Sequence, residues 1–533
     1  MSNFICHVLL YLTFFSATPF AERQNAGQIV ESLNAHITLP QAPEHAPAEA
    51  RVKLKANTEL IKFNYRPMAM KLSEASEILD DRIDEFTALV QEHHGLQDAA
   101  FGNPAAQSTA EIITVGRICS DMSEGKMNSA SLVLETSRRQ GAGLRVPLRV
   151  SGIAYDFFPG KIVALRGINP SGEYFTVHEV LPIPLLPPAA SKPFEIETHN
   201  ARMAASMGSD GQDRPLGLLI ASGPYTSDSD LAFSALQTLI DRALETSADV
   251  LVLNGPFLDL EHPLIASGDF ELPSDYPVPP DRITTTDAFR AFISAPLNKL
   301  VQQVPSITII LVPSIRDLIS KHVSWPQDRF PKRELGLPKQ ATCVTNPITL
   351  SINEIVFGIS GQDVLYEMQR QTTSAQGSTG KVSDDPLARL ASSLITQRHF
   401  FPIYPPLSQQ GLPKPTPITT SDARLDLTTE AADTDPETRL ATGVSLDLAY
   451  LKLGEWLQVR PDVLITPSLL TPFAKVVDSV LVVNPGSLCK KRGAGTFAQM
   501  AVLPRRLTEE ERAEEAVVGH RVFDRARVDV VRI

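Results

Sequence analysis

Cysteine is scarce in this chain of 533 residues: Cys6, Cys119, Cys343 and Cys489 lie far apart and no two form a C-x-x-C pair. That spacing argues against a disulfide framework or a zinc site and fits a reducing intracellular compartment. Basic charge is also in deficit. Lys and Arg number 49 against 61 Asp and Glu, a net charge of -12, which argues against a broad electrostatic surface for nucleic acid, because phosphate contacts need clustered cations. Work near DNA is expected to run mainly through partner chains, with at most a local basic patch. No apolar run is long enough for a confident membrane span, and no membrane partner is expected. Phe4 to Phe15 is apolar and ends in small residues near Ala17 to Ala21, the outline of a signal peptide. Against that outline, no Lys or Arg precedes the run and His7 interrupts it.

The remaining composition, 43% hydrophobic and 21% charged, is that of a folded protein, and the length suggests two or three domains. Residues 1–105 read as an N-terminal extension. Within it Leu79, Ile83, Phe86 and Val90 recur at helical spacing after Ser73, Glu74 and Glu77, which predicts a helix docked on a neighbouring domain. Residues 106–188 hold short strands broken by Gly and Pro. Ile112 to Ile118, Ala130 to Glu135, Leu144 to Tyr155, Lys161 to Ile168 and Glu173 to Val180 predict a small antiparallel barrel of the OB type. Such a barrel can bind single strands: Tyr155, Phe157, Phe158, Tyr174 and Phe175 are available to stack, and Arg138, Arg139, Arg145 and Arg149 to track phosphates. The alternative is that the aromatics fill the barrel and the arginines are solvated.

Residues 189–213 read as a linker after the prolines at 182, 184, 187 and 188. Over 214–533 strands and helices alternate, as in an α/β domain with buried strands. Leu216 to Ser222, Val250 to Asn254, Ile307 to Val312, Val463 to Ile465 and Ser479 to Val483 are strands. Leu231 to Thr246, Phe289 to Gln303, Leu446 to Gln458 and Thr508 to Val518 are helices, and Val528 to Ile533 is a final strand. Polar tracts near 371–385 and 408–438 have the composition of surface insertions.

In such a domain chemistry belongs on the loops at the carboxyl ends of the strands. Those loops read Ser222-Gly223-Pro224-Tyr225-Thr226, Gly255-Pro256-Phe257-Leu258-Asp259, Pro313-Ser314-Ile315-Arg316-Asp317, Thr466-Pro467-Ser468-Leu469 and Asn484-Pro485-Gly486-Ser487. In order and spacing they resemble the metal-ligand loops of calcineurin-like phosphoesterases, with patterns D-x-H, G-D-x-x-D, G-N-H-D/E and G-H-x-H. That chemistry needs several carboxylates and imidazoles around two metal ions. Here Gly, Pro, Ser and Arg stand where most of the ligands belong, and only Asp259 and Asp317 keep a carboxylate. His262, His322 and His399 lie off the pattern. No catalytic, cofactor-binding or metal-ligating residue is therefore assigned, and no cofactor is expected. Asp317 is expected to cap a helix from about Leu318 or to pair with Arg316.

These altered loops resemble the B-subunit family of the replicative DNA polymerases alpha, delta and epsilon. Leu394 to Arg398 with Phe401 to Pro406, Pro461 to Ser468, Asn484 to Leu488 with Gly495 to Ala498, Tyr65 to Met68 and Leu79 to Ile83 resemble its alpha branch. The likeness spans about residues 18 to 533, and the order of the motifs carries it. It implies an OB barrel packed on an inactive calcineurin-like phosphoesterase domain, in a non-catalytic scaffold subunit of the nucleus. The implied partners are the C-terminal domain of a polymerase alpha catalytic subunit, which carries its own zinc sites, and primase within a four-subunit assembly that starts RNA–DNA primers. It also implies an extra N-terminal helical domain that this sequence lacks, which favours an incomplete or mis-started N-terminus over a signal peptide. The remaining alternatives are a single-strand-binding OB module and an active metallophosphoesterase.

Overall fold

The structure is a computed structural model that describes residues 20–39, 49–56, 60–63, 70–122, 126–205, 214–268, 270–273, 276–279, 282–320, 324–378, 380–406, 446–456, 458–491, 493–513 and 516–533. The apolar run at 4–15, the insertion at 408–438, Tyr65 to Met68, Cys6 and His322 lie outside the described residues.

Two sheets face each other across the α/β domain. β10 (Leu216–Ser222), β11 (Val250–Asn254), β12 (Thr308–Val312) and β13 (Ala341–Cys343) run parallel. β22 (Thr496–Val502), β24 (Ala526–Arg532) and β1 (Ile29–Leu33) extend them antiparallel, in the order β1-β24-β22-β10-β11-β12-β13. The second sheet uses β2 (Leu54–Ala56), β14 (Ile348–Ile352), β15 (Ile355–Ile359), β17 (Val463–Ile465), β18 (Phe473–Val477) and β19 (Val480–Asn484), in the order β18-β19-β17-β15-β14-β2.

Side chains alternate across a strand, so a strand apolar at every position must be covered on both faces. β10, β11 and β19 are buried throughout and are covered in that way. Leu218, Ile220, Val252 and Ile310 meet Phe357, Ile359, Val463 and Ile465 between the sheets. Leu219, Leu251, Leu253 and Ile309 turn outward beneath the helices Ser234–Thr246 and Ala295–Gln303. The helices Val364–Gln371 and Pro386–Gln397 cover the far face of the second sheet. Two helical layers thus enclose two sheets.

The barrel consists of β3 (Ser108–Ser120), β4 (Leu132–Glu135), β5 (Arg145–Arg149), β7 (Ile162–Asn169) and β8 (Phe175–Leu181), closed in the order β3-β4-β5-β8-β7. Its interior is apolar, with Ile118, Leu134, Leu148, Val163, Leu165 and Phe175 at its centre. The helix Leu72–His94 lies on the outside and buries Ile83, Phe86 and Val90 against Ile113, Val115 and Ile162.

Several elements differ from the sequence expectations. The N-terminal extension also supplies β1 and β2, one edge strand to each sheet. The expected linker at 189–213 contains β9 (Ala190–Ser191), paired with β23 (Val518–Gly519), and the helix Pro193–Ala205. Its helix propensity was hidden behind the preceding prolines. The tract at 371–385 is not a free insertion: β16 (Thr373–Ala375) pairs outside the barrel with β6 (Tyr155–Phe157), which begins at the last residue of the predicted strand 144–155. Leu446 to Gln458 holds a short 3-10 helix, Leu448–Gly454, and among the described residues of Thr508 to Val518 the helix is the single turn Glu509–Ala513.

Candidate functional site

The strand-end loops lie together at the carboxyl edge of the sheets and are held by one another. Asp317 is fully buried; among the described residues it caps no regular helix, which corrects that expectation, and it forms no ion pair with Arg316. Its carboxylate accepts the backbone N–H groups of Phe257, Leu258 (3.3 Å) and Ser314 (2.8 Å), tying the loop after β12 to the loop after β11. The Arg316 side chain reaches Asp259 through Nε at 3.0 Å and through Nη2, and Glu261 at 3.0 Å. Burial disfavours the Arg316 charge, but Asp259 and Glu261 more than compensate and raise its pKa above the ordinary value.

The neighbouring loops are similarly engaged. Asn484 Oδ1 accepts the N–H groups of Ser468 (2.9 Å) and Gly486 (3.0 Å), while its amide reaches the carbonyls of Leu470 and Thr471. Asp363 caps the helix Val364–Gln371 and also accepts from the Ser468 hydroxyl and from Leu469 N at 2.7 Å. Tyr225 Oη donates to Asn254 O at 2.9 Å. His262 Nε2 meets the Ser227 carbonyl at 2.8 Å and His399 Nε2 the Leu451 carbonyl at 2.9 Å; burial pulls His399 down to about 3. Among the described residues, no three or more His, Cys, Asp or Glu side chains are placed to share a metal ion.

Glycine is required by this interlock. A Cβ on Gly255 would stand 2.4 Å from Asp317 Oδ2 and 2.9 Å from the Ser314 backbone N. Gly255→Ala is expected to cost about 1–3 kcal/mol through overpacking, read as a lowered urea midpoint. An unchanged midpoint would show that the loops adjust freely.

A second constellation, missed in the sequence, forms the seam between barrel and α/β domain. Arg82, on the docking helix, reaches Glu455 Oε1 at 2.7 Å and the Gln397 carbonyl, with both ionic side chains about one-tenth exposed. Burial lowers the Arg82 pKa and raises that of Glu455, each against the pull of its partner. The Gln397 side chain, at the end of helix Pro386–Gln397, accepts from Ile162 N at 2.8 Å and donates to Ile162 O at 2.9 Å, completing the edge of β7 as a neighbouring strand would. Arg117 lies over Tyr404 and donates to Leu79 O, and the half-buried Lys161 reaches Asp156 O and Ser393 Oγ. The only sequence signal was a charge, Arg82, beside the apolar face of a helix.

Four of the five candidate stacking residues are not available at the barrel surface, and the fifth, Tyr174, is half-buried. Tyr155, Phe157, Phe158 and Phe175 are buried. Arg138 pairs with Asp80, Arg139 with Asp84 and Arg145 with Glu135. Arg149 lies over the Tyr174 ring, 3.2 Å from its centroid, and occupies that stacking face.

Comparison with known proteins bears on both constellations. The sequence profile for the OB domain of the DNA polymerase alpha B subunit matches residues 76–183, and the profile for the B subunit of DNA polymerases alpha and epsilon matches 218–475. The chain is 35% identical over 513 residues to the DNA polymerase alpha B subunit of Schizosaccharomyces pombe, covering 96% of this chain and 79% of that protein. The chain belongs to the family of DNA polymerase alpha B subunits. The family protein of Saccharomyces cerevisiae is 34% identical, with 96% of this chain and 72% of that one covered. The Mus musculus protein is 25% identical, with 91% and 70% covered. The two profile matches place the family likeness on both sides of the seam. Of the segments whose likeness was legible in the sequence, Leu79 to Ile83, Leu394 to Arg398 and Phe401 to Pro406 contribute Leu79, Arg82, Gln397 and Tyr404 to it.

Proposed function

We propose that this chain is a non-catalytic scaffold subunit of DNA polymerase alpha–primase. It binds the C-terminal domain of the catalytic subunit and supports primer synthesis in the nucleus. The observation that carries the reading is the engagement of the strand-end loops with one another, in a chain of this family. In this reading the two-sheet domain is a calcineurin-like phosphoesterase framework whose residues do not fit a dinuclear metal centre. Of the two carboxylates left, Asp259 is taken up by Arg316 and Asp317 by backbone N–H groups. Neither points into a shared set of ligands, and a dinuclear centre needs several. A rigid platform with self-satisfied loops serves instead as a contact surface, where a few buried anchors within a large interface supply the affinity.

Co-expression with the C-terminal domain of a polymerase alpha catalytic subunit is expected to give one stoichiometric peak on gel filtration at micromolar concentration. Two separate peaks would overturn the reading. So would manganese-stimulated hydrolysis of a phosphodiester that disappears in Asp259→Asn.

A further inference from the structure

Three side chains from distant parts of the sequence meet in a line outside the strand-end loops. Ser191 ends β9, Asp462 immediately precedes β17, and His520 follows β23. Because Asp462 enters β17 where Thr466 leaves it, the line lies at the end of the second sheet opposite those loops. Asp462 Oδ2 is 2.7 Å from His520 Nδ1, and His520 Nε2 is 2.9 Å from Ser191 Oγ. Asp462 and His520 are buried, whereas Ser191 is half-buried between the exposed Ala190 and Lys192. Ser191 is therefore the member that meets solvent.

The two buried members are fixed by their own contacts. Val356 N–H donates to Asp462 Oδ2 at 2.8 Å and Asp462 N–H donates to Val356 O at 2.8 Å, which clamps the carboxylate to β15. His520 N–H donates to Ala189 O at 3.3 Å beside the β9–β23 pair, and Arg525 Nε donates to the His520 carbonyl at 3.0 Å. An ionised carboxylate only accepts, so Asp462 sets the imidazole tautomer. Nδ1 carries the proton, and Nε2 is left to accept from the Ser191 hydroxyl. A base within reach of a hydroxyl, oriented by a third group, is the arrangement that activates a nucleophile.

The backbone donors that would complete a hydrolase are not on offer beside it. In a nucleophile turn the N–H after the serine helps to hold the developing oxyanion. Here Lys192 N–H donates to Glu195 Oε2 at 3.1 Å, and the next residue, Pro193, has no N–H to give. The hydroxyl is activated, but a tetrahedral intermediate on it is weakly stabilised. An ester with a good leaving group can still acylate such a serine. Water attacking the resulting alkyl ester, a far poorer electrophile, needs the oxyanion donors that are spent elsewhere.

We propose that Ser191 is a nucleophile activated by His520, accepting an acyl group from an activated ester and retaining it. Ser191 Oγ forms a bond to the acyl carbon, and the bond from that carbon to the leaving-group oxygen breaks. The hydroxyl proton passes to His520 Nε2 and from there to the departing oxygen. Asp462 stabilises the imidazolium while it lasts. The reaction is independent of the scaffold role, since it needs no partner chain.

The test treats the full chain with p-nitrophenyl acetate, follows nitrophenol by absorbance and maps acetyl groups by tandem mass spectrometry. The expected result is a burst, in excess of that from Ser191→Ala, no larger than the amount of protein and matched by acetyl on Ser191. His520→Gln keeps a donor for Asp462 but supplies no base, and should slow acetylation of Ser191 by roughly 100-fold or more. Should that variant fail to fold, the wild-type chain in urea decides, because unfolding parts the three residues and should erase the preference for Ser191. Acetylation of Ser191 no faster than that of other exposed serines, or as fast in His520→Gln or in urea as in the native chain, would overturn the assignment. Nitrophenol release that continues after Ser191 is filled, and is lost in Ser191→Ala, would overturn the retention of the acyl group.

Discussion

Replacing Arg82 by Met is expected to destabilise the chain by about 3–5 kcal/mol, because it strands a buried carboxylate. The Arg82 guanidinium lies over Phe86, 5.2 Å from the ring centroid, so an unbranched Met of similar reach fills much of that space and isolates the charge on Glu455. What remains is Glu455, desolvated and without its cation. Gln397 also loses a donor to its main-chain carbonyl, at the residue whose side chain completes β7. Urea unfolding of Arg82→Met, Glu455→Gln and the double variant checks this. The double variant should recover a large part of the loss, since an uncharged pair of similar size leaves no orphan charge. A single variant costing under about 1 kcal/mol, the range of an exposed ion pair, would show that the seam is wetter than its burial indicates.

The parts of this fold that were legible in the sequence have local causes. The docking helix announced itself through Ile83, Phe86 and Val90, and each of the five barrel strands lies within or overlaps a segment read from alternation and Gly or Pro breaks. The buried strands β10, β11 and β12 showed as short apolar runs. The rest depends on residues far apart in the chain. Arg82 and Glu455 are 373 positions apart and Gln397 and Ile162 are 235, so no window of sequence holds either pair. Nothing in Thr373–Ala375 marks it as a partner for Tyr155–Phe157, because its polar composition reads as loop until the barrel supplies an edge. The candidate site was legible through missing ligands. What the sequence did not give was what the surviving carboxylates do instead, since the backbone donors facing Asp317 belong partly to a loop about 60 residues upstream.

The same isolation fixes a second large effect. Burial pushes the Asp317 carboxyl up to about 7, against the pull of the N–H groups of Phe257, Ser314 and Leu258. In the unfolded chain it titrates near its ordinary value of 3.8. Between those values the folded state holds a proton that the unfolded state has released. The contribution of this group is therefore fully present below about pH 4 and is lost as pH rises through about 7. Over that window the loss is on the order of 4 kcal/mol at about 1.4 kcal/mol per unit. Asp317→Asn removes the titration. Its carbonyl can still face Phe257 and Leu258, but its amide then opposes the Ser314 N–H, a buried mismatch of about 1–3 kcal/mol. The wild type should therefore be the more stable at pH 5, and its advantage should shrink or reverse by pH 8, measured as paired urea midpoints at the two pH values. A difference that stays constant, or that grows in favour of the wild type as pH rises, would mean that the donors outweigh burial and that Asp317 is ionised throughout.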